Sequence, residues 1–268
     1  MKANQAIGVF DSGIGGLTVA NAIKESLPNE KIIYFGDTQH LPYGTKSQKN
    51  LVFFAERIVK FLMAKNCKVI VVACNTASAL ALPKINKLAS NQCKVFNVID
   101  PVVEYIKTNK NIQKLGIIGT TGTILSRVYQ KKINSVREDL NTVALPTPLL
   151  ATLIEENKLD LSGQNIIKSY LSNPIFNSID SLILGCTHYP LIEPIINKFY
   201  KSQVNLINSA EYVSMAINKF LKREQLQSNL SSIPNHEFYI SDYTKSFQEK
   251  THFFFKSSII LQEENLFN

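Results

Sequence analysis

No stretch of 18 or more apolar residues occurs in the 268-residue sequence, which leaves no candidate for a membrane-spanning helix. The chain also lacks a C-x-x-C pair. Its four cysteines, Cys67, Cys74, Cys93 and Cys186, lie 7, 19 and 93 positions apart, and Met1–Gln5 carries no signal-peptide apolar region. A disulfide framework is therefore not expected, and a cytoplasmic protein with reduced thiols is. Arginine is scarce as well, with only Arg57, Arg127, Arg137 and Arg223 among 29 basic residues. Arginine is the preferred bidentate reader of phosphate and guanine, and the lysines are scattered, so the net charge of +8 reads as a solvated basic surface. Neither nucleic acid nor membrane is an expected partner, and a purely binding role would need a basic patch that is not visible. No linker rich in Pro, Gly or Ser interrupts the chain.

What is present is a rhythm of short β-branched runs between helical patterns: Ile7 to Phe10, Ile32 to Phe35, Val69 to Ala73, Val95 to Ile99, Leu115 to Gly119, Thr142 to Leu145, Ser181 to Gly185 and Val204 to Ile207. Such alternation predicts βαβ units and mostly parallel sheets covered on both faces. Leu51, Phe54, Ala55, Ile58 and Leu62 mark one face of a helix. Tyr212, Val213, Ala216, Ile217 and Phe220 mark another, with Ser209 as its expected N-cap. The halves echo each other: Gly13 and Gly122 are 109 positions apart, and Cys74 and Cys186 are 112 apart. The expected fold is α/β, with two pseudo-symmetric α/β domains and an active site in the cleft between them. The expected division is residues 1–97 plus 208–268, a first domain completed by the C-terminal segment, and residues 98–207 as the second. Phe238-Tyr239-Ile240 and Phe253-Phe254-Phe255 suggest short strands or core anchors, Glu263 to Asn268 a surface tail, and nothing there suggests catalysis.

Asp11-Ser12-Gly13-Ile14-Gly15-Gly16 follows the first run and precedes a helical pattern, so its N–H groups offer a place for an anion. The fingerprint G-x-G-x-x-G is absent, and so is the Lys-Ser/Thr ending of a P-loop. A small carboxylate suits this turn better than a pyrophosphate, and a plain tight turn is the alternative. Leu41-Pro42-Tyr43-Gly44-Thr45 is a second turn, whose tyrosine either covers the sheet end or closes over a ligand with its backbone and hydroxyl.

Cys74 and Cys186 each end an apolar run and open a polar turn, as Cys74-Asn75-Thr76 and Cys186-Thr187-His188. A thiol at the carboxyl end of a buried strand stands where open α/β sheets hold ligands. One such thiol alone is more often an inert core residue, but two in matching settings with polar neighbours point to a site. Cys67 and Cys93 lack such neighbours and read as core. Three chemistries remain open. Zinc has Cys74, Cys186, His188 and Asp11 as possible ligands, though only Cys186 and His188 are closely spaced. A thiol hydrolase would use His188 to deprotonate a cysteine, leaving the second thiol idle. Racemisation of an amino acid needs a base on one face of Cα and an acid on the other, and two thiols with an ordinary pKa of about 8.5 suit both roles. Asp11 is then available to Cys74, and His188 to Cys186.

Five segments in order carry a resemblance: Phe10-Asp11-Ser12-Gly13-Ile14-Gly15-Gly16-Leu17-Thr18-Val19, Tyr34-Phe35-Gly36-Asp37-Thr38, Pro42-Tyr43-Gly44, Ala73-Cys74-Asn75-Thr76-Ala77-Ser78 and Leu184-Gly185-Cys186-Thr187-His188-Tyr189-Pro190-Leu191. Together they resemble glutamate racemases of the aspartate/glutamate racemase superfamily. The resemblance implies interconversion of L- and D-glutamate without cofactor or metal, supply of D-glutamate for peptidoglycan, and a homodimer. It also implies that Cys74 deprotonates D-glutamate with Asp11 as partner, and that Cys186 deprotonates L-glutamate with His188 as partner. Glu155 matches an implicated glutamate, although Thr152 stands where the family motif has proline. Substrate contacts are implied for Asp11, Ser12, Pro42, Tyr43, Gly44, Cys74, Asn75, Thr76, Cys186, Thr187 and His188. Thr120, Thr121 and Thr123 are expected to add contacts to a carboxylate. The cysteine pair is shared with aspartate racemases, and the flanking motifs favour glutamate.

Overall fold

The computed structural model describes residues 1–90, 92–229 and 233–267. Among the described residues ten strands form: β1 (Ile7–Asp11), β2 (Ile32–Gly36), β3 (Val69–Val72), β4 (Lys94–Asn97), β5 (Lys114–Gly119), β6 (Asn141–Pro146), β7 (Ser181–Gly185), β8 (Asn205–Asn208), β9 (Glu237–Ile240) and β10 (Leu261–Glu263). All eight runs expected from the sequence are strands, with ends shifted by a residue or two. One sheet has the order β10-β9-β2-β1-β3-β4 and the other β6-β5-β7-β8. The pairings within both are parallel. The run β2-β1-β3-β4 thus has the same strand order as β6-β5-β7-β8, which is the echo seen in the spacing of Gly13 and Cys74 from Gly122 and Cys186.

Continuous apolar strands require cover on both faces. Leu51, Ala55, Ile58 and Leu62 of the helix Gln48–Ala64 bury one face of the first sheet against Phe10, Ile70 and Val72. On the other face Val213 and Ile217, from the helix Ser209–Arg223, pack with Ile7, Val9 and Leu17. Val102 and Ile106, from the helix Asp100–Thr108, join Leu115, Ile117 and Ile183 under the second sheet. Asn208, not Ser209, caps the helix after β8. Its backbone is extended and its Oδ1 accepts from Ala210 N at 3.1 Å, which places Ser209 inside the first turn.

The tail is more ordered than expected. Leu261 to Glu263 form the edge strand β10, and Leu266 and Phe267 pack on the first lobe's core. Asn268 lies outside the described residues. Phe254 ends the helix Lys245–Phe254 and is buried beside Phe255. At the amino ends of the strands the buried Lys68 pairs with Glu30 at 2.6 Å and donates to the carbonyls of Leu226, at 2.7 Å, and Ala3. Among the described residues no helix is long and apolar enough to cross a membrane.

Candidate active site

Because the sheets are parallel, every strand delivers its carboxyl end to the same side, and the two sheets turn those ends toward one another. One cavity there is lined by both Cys74 and Cys186. Ser12, Pro42, Tyr43 and Gly44 share its wall, as do Asn75, Thr76, Thr120, Thr187, His188 and Glu155. Three expected residues stand outside the wall. Asp11 is fully buried behind it, and Thr121 begins the helix Thr121–Leu125 without facing it. Thr123 is buried in a triangle of hydroxyls, 3.2 Å from Thr76 Oγ1 and 3.0 Å from Thr120 Oγ1. Thr76 and Thr120 are 2.8 Å apart, so these hydroxyls join the lobes under the cavity floor.

Cys74 caps the helix Asn75–Leu80, its Sγ accepting from Ala77 N at 3.4 Å. Cys186 leads instead into a 3-10 turn over Tyr189–Ile192, and its nearest partner is a side chain. His188 Nδ1 lies 3.6 Å from Cys186 Sγ, and His188 Nε2 lies 3.3 Å from Glu155 Oε2. Burial alone pulls the imidazole down, but the sulfur on one nitrogen and the carboxylate on the other overcome it and push the group up to about 10. Burial pushes the Cys74 thiol up to about 12, and the negative charge of Asp11 adds to it.

Asp11 corrects one expectation. The sequence offers the turn following β1 as an anion site, yet the anion is largely internal: Asp11 Oδ2 accepts from Gly16 N at 2.9 Å and Gly13 N at 3.4 Å. Burial raises the Asp11 carboxyl, while the nearby His188 charge and these N–H groups oppose the rise. Asp11 Oδ1 is buried without a hydrogen-bond partner among the described residues. The two alternatives open for Tyr43 differ in where its hydroxyl goes. Tyr43 lines the cavity, but its hydroxyl donates to Asp37 Oδ2 at 2.6 Å and is not offered to a ligand. Asp37 also holds His40, at 2.8 Å, and Ser241, at 2.8 Å. Asp37 stands in the Tyr34–Thr38 segment, whose sequence alone gives it no role.

Other contributors have no role that the sequence alone reveals, although Gly15 and Thr18 lie in the first of the five segments. Gly15 lets His188 approach the first lobe: a Cβ built there would lie 2.5 Å from His188 Nδ1 and 2.7 Å from Thr187 Oγ1. Thr18 Oγ1 donates to the carbonyl of Thr187 at 2.8 Å, and Tyr129 donates to Asn75 Oδ1 at 2.8 Å. The tail, where the sequence suggests nothing catalytic, reaches the site. Phe254 meets the His188 ring edge-on at 5.3 Å, and Lys250 pairs with Glu156 at 2.7 Å. The Phe253–Phe255 run was the available signal. Among the described residues no group of three or more His, Cys, Asp and Glu side chains is arranged to hold a metal ion.

Two parallel sheets meeting over a pair of thiols define a class, and residues 7–214 match the family model described as Asp/Glu/Hydantoin racemase. The chain belongs to that family. Within it, the chain is 38% identical over 244 residues to a glutamate racemase of Geobacter metallireducens, covering 91% of this chain and 90% of the relative. The crystal structure of glutamate racemase from Francisella tularensis subsp. tularensis in complex with D-glutamate superposes with a TM-score of 0.92 at 35% identity, covering 98% of each chain. A glutamate racemase isoform of Bacillus anthracis gives the same TM-score, identity and coverage.

Proposed function

We propose that this protein is a glutamate racemase that interconverts L- and D-glutamate by proton transfer between Cys74 and Cys186 at Cα, using no cofactor or metal. The observation that carries this reading is that both thiols line one cavity while differently backed, by Asp11 and by the His188–Glu155 pair. From L-glutamate, the Cys186 thiolate takes the Cα proton and the Cys74 thiol delivers its own to the opposite face, leaving Cys74 as thiolate and Cys186 as thiol. D-glutamate runs the same step backwards. Asp11 handles the proton of Cys74, and His188 with Glu155 that of Cys186. Burial of Cys74 helps here, because a thiolate stripped of water is a stronger base. Ser12, Tyr43–Gly44, Asn75–Thr76, Thr120 and Thr187 hold the amino acid, and the lobes are residues 1–97 plus 208–268 and residues 98–207. The protein works in the cytoplasm as a homodimer and supplies D-glutamate for peptidoglycan.

In deuterated water without added cofactor, either enantiomer of glutamate should lose optical purity and gain deuterium at Cα. Aspartate should turn over far more slowly. Cys74→Ser and Cys186→Ser should each slow racemisation by about 10²–10⁴-fold, the range of a lost acid–base group, with unchanged circular dichroism. Full activity in either variant, a need for pyridoxal phosphate, or preference for aspartate would overturn the assignment.

A further inference from the structure

We infer that Tyr129 is a positioning residue for substrate binding: its hydroxyl fixes the Asn75 amide so that Nδ2 faces the cavity as a donor to a carboxylate of the amino acid. The inference rests on the reading that this amino acid lies between Cys74 and Cys186. Asn75 is 2% exposed and belongs to the cavity wall. Its Oδ1 is taken by Tyr129, but its Nδ2 is buried with no hydrogen-bond partner among the described residues. A buried donor left unmatched is costly, and an arriving carboxylate is the acceptor that matches it.

Tyr129 decides which end of the amide points inward. It is 1% exposed, packed among Ile99, Ile124 and Ile133, and burial raises its phenol far above the ordinary value, so it carries its proton at every working pH. Among the described residues Asn75 is the one hydrogen-bond partner of that hydroxyl. Turning the amide over would make Nδ2 the donor and strip the phenol proton of its acceptor. The same turn would aim Oδ1 at the substrate's negative charge. Both consequences oppose the turn. Tyr129 belongs to the helix Val128–Asn134 beside the second sheet, whereas Asn75 opens a helix beside the first. The donor is therefore set only while the two lobes are together.

Tyr129→Phe keeps the ring and removes the hydroxyl. KM for L- and D-glutamate should each rise about tenfold, the scale of one buried hydrogen bond, with kcat changed by less than about threefold. Calorimetric Kd values for glutamate should form a non-additive cycle, with Tyr129→Phe weakening binding in the parent protein but not in Asn75→Ala. A purely structural hydroxyl would lower thermal stability in both backgrounds and leave Kd unchanged. An unchanged Kd in Tyr129→Phe, or the same loss in both backgrounds, would overturn the inference. Failure of the underlying reading would look different, as an absence of Cα deuterium exchange in the unmodified protein.

Discussion

Gly15→Ala tests how tightly the second lobe's imidazole is seated against the first lobe. The backbone at Gly15 is not in the left-handed region, so alanine brings no conformational strain, and the whole effect is steric. The added Cβ would stand 2.5 Å from His188 Nδ1 and closer still to Cε1. Ordinary contact between such atoms is about 3.5 Å, so the ring must retreat by about 1 Å. Little space is open to it. Glu155 holds Nε2 at 3.3 Å, Phe254 meets the ring edge, and Thr187 Oγ1, 2.7 Å from the same Cβ, must also move. A displacement of about 1 Å at a reacting group costs about a hundredfold in rate, and overpacking a filled site costs about 1–3 kcal/mol of stability. Steady-state kinetics should show kcat reduced about a hundredfold in both directions. Urea unfolding of the same preparation should show the smaller stability loss. Because enantiomers have equal free energy in water, kcat/KM must fall by the same factor for L- and D-glutamate. A variant that keeps kcat within about threefold of the parent would refute the argument that this approach is close and fixed.

Two further outcomes follow from groups on either side of the site. The His188 imidazole is held up at about 10, so its contribution to stability is complete below its ordinary 6.5 and is lost as the pH climbs through about 10. Between about pH 6 and pH 10 the parent should lose more unfolding free energy than His188→Asn, and equal losses in urea titrations would contradict the assigned protonation. At the far end of the sheet, the side chains of Lys68 and Glu30 are 0% and 3% exposed. Lys68→Met strands a buried carboxylate and should cost about 3–5 kcal/mol in denaturant unfolding, whereas Lys68→Met with Glu30→Leu should recover most of it. A small loss in the single variant would mean that Glu30 finds water.

The fold was legible where one physical demand dominated. A strand buried on both faces must be apolar and short, and all eight such runs are strands in the parallel order that βαβ units impose. The helix Gln48–Ala64 was equally plain, since Leu51, Ala55, Ile58 and Leu62 keep one face. Local competition was harder to read. Asn208 and Ser209 are both good caps, and the choice fell to Asn208 because β8 ends there in extended backbone. The five short segments led to side chains that one cavity brings together from residues as distant as Ser12 and His188. What they could not convey was direction. Whether Tyr43 aims its hydroxyl at a ligand or at Asp37, or whether the turn N–H groups serve a guest or Asp11, depends on atoms supplied by other parts of the chain. Tyr129 carries no local mark at all, and Phe254 is marked only by the Phe253–Phe255 run. Each is an aromatic residue in a helical stretch, and only tertiary packing sets one against Asn75 and the other against His188.

The shared strand order of the two sheets has a geometric meaning for a reaction between mirror images. A catalyst with no handedness would treat both faces of Cα alike by placing a reflection plane between them, but no chain of L-residues can contain one. Rotation is the symmetry open to it. Turning β2-β1-β3-β4 onto β6-β5-β7-β8 exchanges Cys74 for Cys186, and with them, in the proposed reaction, the two approaches to the carbon. The exchange is imperfect, since Asp11 lies behind one sulfur and His188 behind the other. That remainder is the part of the chemistry in which the protein's own chirality still tells.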